Sequence, residues 1–203
     1  KLENIYGLDG YVIRENLKYE GVFERYLVSG KSVDFNFFRQ INSKVNSYWL
    51  GMMYSDGNVN ITKDGSKNIN LSITDENVVE DFRKIIKFEG VITKVKNENK
   101  KDNYQLRIIN HRLFDDLVKL GCVPKKSLIL TFPNKKQLPS EYITPFLYGY
   151  FDGDGHIGIY QSSKNSKSKR FTFEVVGTKN FINQYKKELL NRLEPTDREF
   201  FDK

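Results

Sequence analysis

The chain has 203 residues and a net charge of +7 at pH 7, and 38% of its residues are hydrophobic. This length supports one large domain or two small ones with a sizeable core. The positive charge favours a polyanionic partner, and nucleic acid is the first candidate. No apolar run has the length of a membrane span, and the N-terminus shows no signal peptide. The single cysteine, Cys122, excludes an internal disulfide and favours a reducing, intracellular compartment, either cytoplasmic (in a prokaryote or phage) or organellar.

Residues 1–45 form an N-terminal segment whose role the sequence leaves open. Residues 11–14 and 23–28 are strand-like, and a helix could run through 35–38 after the break at 30–32. Strand-strand-helix content of this kind is what the C-terminal part of the chain lacks. The segment is therefore either a small extension, such as a short DNA-binding arm, or the remainder of a second repeat in permuted order.

Residues 46–140 have the pattern of a seven-element repeat. An apolar helix over 46–56 precedes two strands, 57–64 and 68–74, whose residues alternate between apolar and polar around a turn signal. The remaining elements are predicted as a helix capped by Thr74 or Asp75 that ends at Gly90, strands at 91–96 and 104–109, and a helix capped by Asn110 that ends at Gly121.

Residues 141–203 begin the same series again. They give a helix from about 144, a hairpin from 155 to 176 with a basic loop, and a second helix. The chain then stops before the last two strands and the final helix of the series. The predicted fold class is α+β, with two pseudo-symmetric αββαββα repeats and antiparallel sheets.

One short pattern recurs at the end of the first helix of each repeat. It reads WLGMMYSDG at 49–57 and LYGYFDGDG at 147–155, so that Asp56 and Asp154 are 98 residues apart. A repeat with a matched acidic residue indicates two half-domains that each deliver one carboxylate to a shared centre. Two adjacent carboxylates repel each other unless a cation neutralises them.

The spacing of small residues suggests how the two carboxylates could meet. Gly51 and Ser55 share one helix face, as do Gly149 and Gly153, because positions i and i+4 lie above one another. Two such faces let helix backbones pack more closely than the usual distance of about 8–10 Å between axes. Carboxylate oxygens at the helix ends suit Mg²⁺, with Mn²⁺ or Ca²⁺ as substitutes, rather than zinc.

The two copies resemble the LAGLIDADG motif of homing endonucleases. The first copy departs from the motif at Tyr54, where the family has an aspartate that is not a metal ligand. Residues 121–127, followed by Phe132 and Pro133, resemble the connector before second motifs in bacterial and phage relatives. The resemblance implies a monomeric, double-motif enzyme of intron or intein mobility that hydrolyses both strands of a specific DNA site with Mg²⁺. It also implies a central pair of motif helices.

The resemblance assigns roles to individual residues. Asp56 and Asp154 would be catalytic metal ligands, with Gly57 and Gly155 beside them at the metal site. Family enzymes often place a lysine near the scissile phosphate, and Lys126 and Lys136 are the candidates for that position. The DNA-binding residues, on alternate positions of the antiparallel sheets or in the basic loops, are predicted as Asn58, Asn60, Thr62, Asn68, Asn70, Ser72, Lys94, Lys96, Gln105 and Arg107, and as His156, Tyr160, Lys167, Lys169 and Thr172 in the second repeat.

Two other readings remain open. The chain could be a non-catalytic LAGLIDADG-like protein, either a transcription regulator or an intron RNA maturase. It could also be an endonuclease domain excised from an intein, although no splicing-type Cys or Ser start and no His-Asn end occur within it. Retention of both aspartates favours cleavage over binding alone.

Overall fold

The computed structural model describes residues 32–98, 101–161 and 169–193. In these ranges the elements are α1 (Lys44–Ser55), β1 (Gly57–Ile61), β2 (Lys67–Ile73), α2 (Glu76–Ile85), β3 (Thr93–Val95), β4 (Asn103–Ile109), α3 (His111–Lys119), α4 (Ile143–Asp154), β5 (Gly155–Gln161), β6 (Lys169–Val175) and α5 (Lys179–Leu190). Short 3₁₀ turns occur at Lys126–Leu128 and Ser140–Tyr142. The predicted α+β class with antiparallel sheets is confirmed. The strand-like stretches 11–14 and 23–28 lie outside the described residues.

The element order contains one full αββαββα series, from α1 to α3, and then the partial series α4-β5-β6-α5. By contacts the chain divides into two compact units. The first unit comprises residues 1–39 and 59–116, and the second comprises residues 40–58 and 117–203. No helix in the part of the chain that the structure describes is long and apolar enough to cross a membrane.

The first unit is built on a four-stranded sheet in the order β1-β2-β4-β3. The first two residues of β1, 57 and 58, belong to the second unit. Strands β2 and β4 are antiparallel, with Leu71 opposite Leu106 and Asn70 opposite Arg107. Because side chains alternate between the faces of a strand, one face is apolar and buried while the other is polar. The apolar face carries Ile69, Leu71, Leu106 and Ile108, all at most 1% exposed.

The second unit is organised around α1 and α4. Helix α1 begins at a capping box, in which the Ser43 hydroxyl accepts from the Asn46 N–H and the Asn46 side chain accepts from the Ser43 N–H. The two helices cross at their glycines. A Cβ on Gly51 would lie 2.7 Å from Tyr150 N, and a Cβ on Gly149 would lie 3.2 Å from Met52 N. The predicted close packing of the motif helices is confirmed.

The β5–β6 hairpin of the second unit has an exposed apolar face. Ile157 lies opposite Phe173, and Ile159 lies opposite Phe171, so these four side chains share one side. Ile157 is 65% exposed, whereas Val59, the residue 98 positions earlier in the repeat, is 1% exposed. Among the described residues no third strand pairs with this hairpin.

Candidate functional site

The two motif helices bring Asp56 and Asp154 together at their C-terminal ends. Asp56 caps α1, where its N–H donates to Met52 O over 3.0 Å, and Asp154 is the last residue of α4. Gly153 of α4 leaves room for the Asp56 carboxylate, since a Cβ at that position would lie 2.6 Å from Asp56 Oδ2. Helix C-termini carry partial negative charge, so two carboxylates at two such ends are electrostatically unfavourable. An arrangement of this kind is typical of a site that binds a cation.

Burial and charge set the ionisation of this pair. Burial, and then the charge of Asp154, raise the pKa of Asp56, while Lys126 opposes the increase. Burial also raises the pKa of Asp154, against the lowering effects of Lys126 and of a hydrogen bond from Tyr150. Both carboxylates are only partly buried, so they remain accessible to an ion and to substrate. The pair therefore prefers a positive partner in its charged form.

Lys126, one of the two predicted lysines, supplies positive charge to the pair. Its ammonium group is partly buried and donates to the carbonyl of Ser55 over 2.7 Å. Burial lowers the pKa of Lys126, while Cys122, Asp154 and Asp56 favour its charged form. The ammonium group is thus held beside both carboxylates by a backbone contact. Cys122 itself is fully buried, its thiol donates to Met53 O over 3.3 Å, and burial raises its pKa to about 12.

The second predicted lysine, Lys136, has a different environment. It is exposed in the connector, where its backbone N–H donates to the side chain of Asn134 over 2.9 Å. The structure brings Lys126 to the carboxylates, and it places Lys136 in this exposed turn.

Tyr150 is a residue of the site that the sequence analysis missed. Its hydroxyl donates to Val176 O over 2.9 Å, and Asp154 is a second acceptor within reach of the same proton. Burial, followed by the Asp154 charge, raises the pKa of this tyrosine. The signal was present in the sequence, because Tyr150 precedes Asp154 by four positions and therefore lies on the same helix face. The first repeat has Met52 at the matching position, so Asp56 has no such partner there.

Two further tyrosines connect the motif helices to their surroundings. The Tyr48 hydroxyl on α1 donates to Asp152 Oδ2 on α4 over 2.7 Å. Tyr54, which departs from the family motif, is 1% exposed and donates to Leu120 O over 2.6 Å. Gly121 follows with a φ of +99°, and a Cβ there would collide with the Tyr54 hydroxyl oxygen. Tyr54 is thus a structural residue of the core.

The donor set fits a hard divalent cation. Asp56 and Asp154 offer carboxylate oxygens, and Gly57 and Gly155, which follow them directly, offer backbone carbonyls. Both glycines sit tightly against the preceding helix turn, since a Cβ on Gly57 would lie 2.6 Å from Met53 Cα. Within residues 32–98, 101–161 and 169–193, no group of three or more His, Cys, Asp or Glu side chains is assembled. Zinc, which binds three or four protein ligands, is therefore a poor match.

Most predicted DNA-binding residues of the first repeat share the polar face of its sheet. Asn70 lies opposite Arg107, and Ser72 lies opposite Gln105. Asn58 and Asn60 are exposed and alternate with buried Val59 on β1. Three predicted residues have other surroundings. Thr62 hydrogen-bonds within the hairpin turn to Asp64 and Ser66, Lys96 is exposed just beyond β3, and Asn68 is 4% exposed beneath Arg107.

Lys94 lies on the opposite face from Gln105 and Arg107. It is paired with Tyr104 in the β3–β4 register, and its Nζ lies 5.6 Å from the centre of the Tyr104 ring. The same ammonium group forms a 3.2 Å ion pair with Asp102. The sequence assigned Lys94 to the same surface as Gln105. The register of the short strand β3 instead turns it to the other side of the sheet.

In the second repeat the predicted residues follow the polar face of the β5–β6 hairpin. His156 and Tyr160 are exposed, and they alternate with Ile157 and Ile159 of the apolar face. Thr172 lies opposite Gly158 and donates to its carbonyl over 3.4 Å. Two lysines complete the set: Lys169 is the first residue of β6, and Lys167 lies outside the described residues.

Comparison with known proteins agrees with the fold described above. Residues 43–120 match the family model of the LAGLIDADG-like domain. No curated protein matches the sequence. The structure is similar to that of the homing endonuclease I-WcaI bound to its DNA recognition sequence, with a TM-score of 0.50 and 14% identity over 95% of this chain and 79% of that one.

Two other similarities are lower. The meganuclease I-SmaMI bound to uncleaveable DNA gives a TM-score of 0.42 and 13% identity over 74% of this chain and 73% of that one. The I-LtrWI LAGLIDADG homing endonuclease bound to target DNA gives a TM-score of 0.38 and 15% identity over 68% of this chain and 65% of that one. Residues 43–120 are thus similar to the LAGLIDADG-like domain, and the chain shares its α+β fold with the homing endonuclease I-WcaI.

Proposed function

We propose that the chain is a monomeric, double-motif, site-specific DNA endonuclease that hydrolyses one phosphodiester bond in each strand of its target. The observation that carries this proposal is the pairing of Asp56 and Asp154 at the ends of α1 and α4, with the Lys126 ammonium group beside them. Two helices can pack against each other without carboxylates at their adjacent ends. The raised pKa values of Asp56 and Asp154 indicate that this placement is electrostatically unfavourable. Such a placement is typical of functional sites.

Mg²⁺ is the proposed metal, and Asp56 and Asp154 would hold it, with Mn²⁺ or Ca²⁺ as substitutes. When bound, a divalent ion at such a site can activate water and stabilise the leaving oxygen of a phosphodiester. The residues of the chain have three tasks around it. The two carboxylates hold the ion, Lys126 offers positive charge to the phosphate, and Tyr150 orients Asp154.

DNA is the proposed substrate. The net charge of +7 and the polar sheet faces support this choice, as does the fold shared with I-WcaI, which was solved with its DNA recognition sequence. We assign residues 46–140 to the first repeat and 141–203 to the second, with 1–45 as an N-terminal segment. One chain would then contact both halves of a long site. The single cysteine favours a reducing compartment, as expected for an enzyme of intron or intein mobility.

The proposal is tested by cleavage of a plasmid library that carries a randomised insert, with Mg²⁺ and with EDTA. We expect linear product only with Mg²⁺, and sequencing of the new ends identifies the target. Asp56→Asn and Asp154→Asn should each abolish cleavage of that target and retain specific binding, because the sheets provide the affinity. Asp81→Asn changes an exposed carboxylate on α2 and is the matched control.

Two results would contradict the proposal. Full cleavage by both active-site variants would show that these carboxylates do not hold the catalytic metal. Specific binding without any cleavage, or binding to RNA far above that to any duplex DNA, would favour a transcription regulator or an RNA maturase.

A further inference from the structure

Arg107 is held in a defined orientation on the polar face of the first sheet. It is exposed on β4, and its Nε donates to Asn68 Oδ1 over 2.9 Å. Asn68 is 4% exposed, and its Nδ2 donates to Ser66 O over 3.2 Å. Both ends of the Asn68 amide are therefore engaged, so that its oxygen is fixed toward Arg107. A long surface side chain normally loses rotamer entropy when it binds a ligand, and this contact reduces that loss in advance.

The contact uses one edge of the guanidinium group and leaves the other available. Arginine has five N–H donors on a planar fork, and the Nε edge is the one that Asn68 engages. The remaining edge consists of Nη1 and Nη2, which donate in parallel and at a fixed spacing. In the major groove, guanine presents the matching pair of acceptors, N7 and O6. A phosphate could also accept from this edge in a bidentate pair, but such a contact would carry no sequence information.

Asn70 adds an acceptor next to this donor edge. It lies directly opposite Arg107 in the β2–β4 register, so the two side chains are neighbours on the same face. Its Oδ1 is a buried atom that has no hydrogen-bond partner within the described residues. A buried acceptor without a partner destabilises the protein. Rotation of the Asn70 side chain toward the groove would expose this oxygen to an amino group, and the base paired with guanine, cytosine, presents one at N4.

We propose that Arg107 reads a guanine of the target through Nη1 and Nη2, with Asn68 as the residue that positions it and Asn70 Oδ1 as the acceptor for N4 of the paired cytosine. The inference rests on the proposed function, because it requires that the polar face of this sheet lies against duplex DNA. It specifies that one base pair of the target is G·C. It also gives different roles to two residues, since Arg107 contacts the base and Asn68 positions Arg107.

The test is selection of binding sites from a randomised 30-bp duplex library in EDTA, so that no cleavage is needed. The wild-type chain should enrich one consensus that contains an invariant G·C pair, and Arg107→Ala should reduce the preference at that pair about tenfold or more. Asn68→Ala should reduce preference at the same pair by a smaller factor. Asn68→Asp keeps the acceptor for Arg107 but loses the donor to Ser66 O, so it should restore the preference in part. Arg112→Ala, on α3, should leave the consensus unchanged.

The outcomes separate this inference from the function on which it rests. If Arg107→Ala weakens binding to all duplexes equally and lowers the slope of log K against log salt by about 1, Arg107 contacts phosphate and the inference is wrong while DNA binding stands. If the wild-type chain enriches no sequence, the proposed function and the inference fail together. Thermal unfolding of each variant identifies a loss of base preference that is caused by misfolding, and the Asn68→Asp result decides the matter if Asn68→Ala does not fold.

Discussion

The Nζ atom of Lys126 lies 2.7 Å from the carbonyl oxygen of Ser55, the residue that precedes Asp56. The contact fixes one positive charge at the carboxylate pair through a backbone group that no substitution removes. A bound divalent cation would share this space with the ammonium group. The lysine is therefore expected to oppose metal binding while it assists the reaction.

We expect Lys126→Met to bind Mn²⁺ several-fold more tightly than the wild-type chain and to cleave the target more slowly. The tighter binding follows because a like charge is removed from beside the ion, and the slower reaction follows because positive charge near the phosphate is lost. Titration calorimetry gives the affinity, and a single-turnover assay gives the rate. Lys136→Met, in the exposed connector, is the control and should change neither quantity. Weaker metal binding by Lys126→Met would show that the lysine supports the carboxylates rather than competing with the ion.

The stability of the metal-free protein should fall as pH rises from about 4, the ordinary pKa of aspartate, through the raised pKa values of Asp56 and Asp154. The folded state holds these protons more tightly than the unfolded state, so unfolding releases protons in that window. Asp56→Asn should remove part of this dependence and raise the midpoint of thermal unfolding at pH 7. Mg²⁺ should stabilise the wild-type chain and have little effect on the variant. Melting curves from pH 4 to 8, with Mg²⁺ and with EDTA, measure both effects, and a variant that is less stable at pH 7 would contradict the expectation.

Gly149→Ala should destabilise the fold by about 1–3 kcal/mol, because the new Cβ would overlap the backbone of α1 at Tyr48. Helix propensity alone would give the opposite sign, since alanine is favoured over glycine in a helix by about 1 kcal/mol. The sign of the change therefore decides between packing and propensity. Tyr148→Ala, at a 62% exposed position on the same helix, should change stability by less than about 0.5 kcal/mol. Chemical denaturation of both variants measures the difference.

Tyr150→Phe should weaken metal binding in a way that depends on pH. Without the hydroxyl, the pKa of Asp154 is expected to increase further, so protons compete better with the ion at pH 6 than at pH 8. Tyr48→Phe is the matched control. It loses the hydrogen bond to Asp152 but leaves Asp154 untouched, so it should lose similar stability, about 1 kcal/mol, with no change in metal affinity. Equal metal affinities for the two variants at pH 6 would show that the Tyr150 hydroxyl does not support metal binding by Asp154.

The sequence predicted the parts of the structure that local patterns determine. The period of the apolar residues gave the helices and strands of the first repeat, and the duplicated motif predicted the crossing at Gly51 and Gly149. Both features depend on residues within one or two turns of each other. The proximity of Asp56 and Asp154 followed from the repeat itself, because matched helix ends meet when matched faces pack.

Features that depend on distant partners could not be predicted. Lys126 reaches Ser55 across 71 positions, and its side chain could equally have pointed to solvent. The face of Lys94 depends on which residues of β3 pair with β4, and alternation within three residues does not determine that register. Asn68 looks like any polar residue on a solvated strand. Its burial under Arg107 is a property of the folded sheet.

The burial of Cys122 has a practical consequence for solution experiments. Thiol reagents react with the thiolate, and a fully buried thiol whose pKa is near 12 has almost none at neutral pH. A maleimide dye would therefore modify a cysteine introduced at an exposed position of the sheet, such as Asn60, and leave Cys122 unmodified. Fluorophores can thus be attached beside the proposed DNA surface in the otherwise native chain, and energy transfer to a labelled duplex would report where the duplex lies.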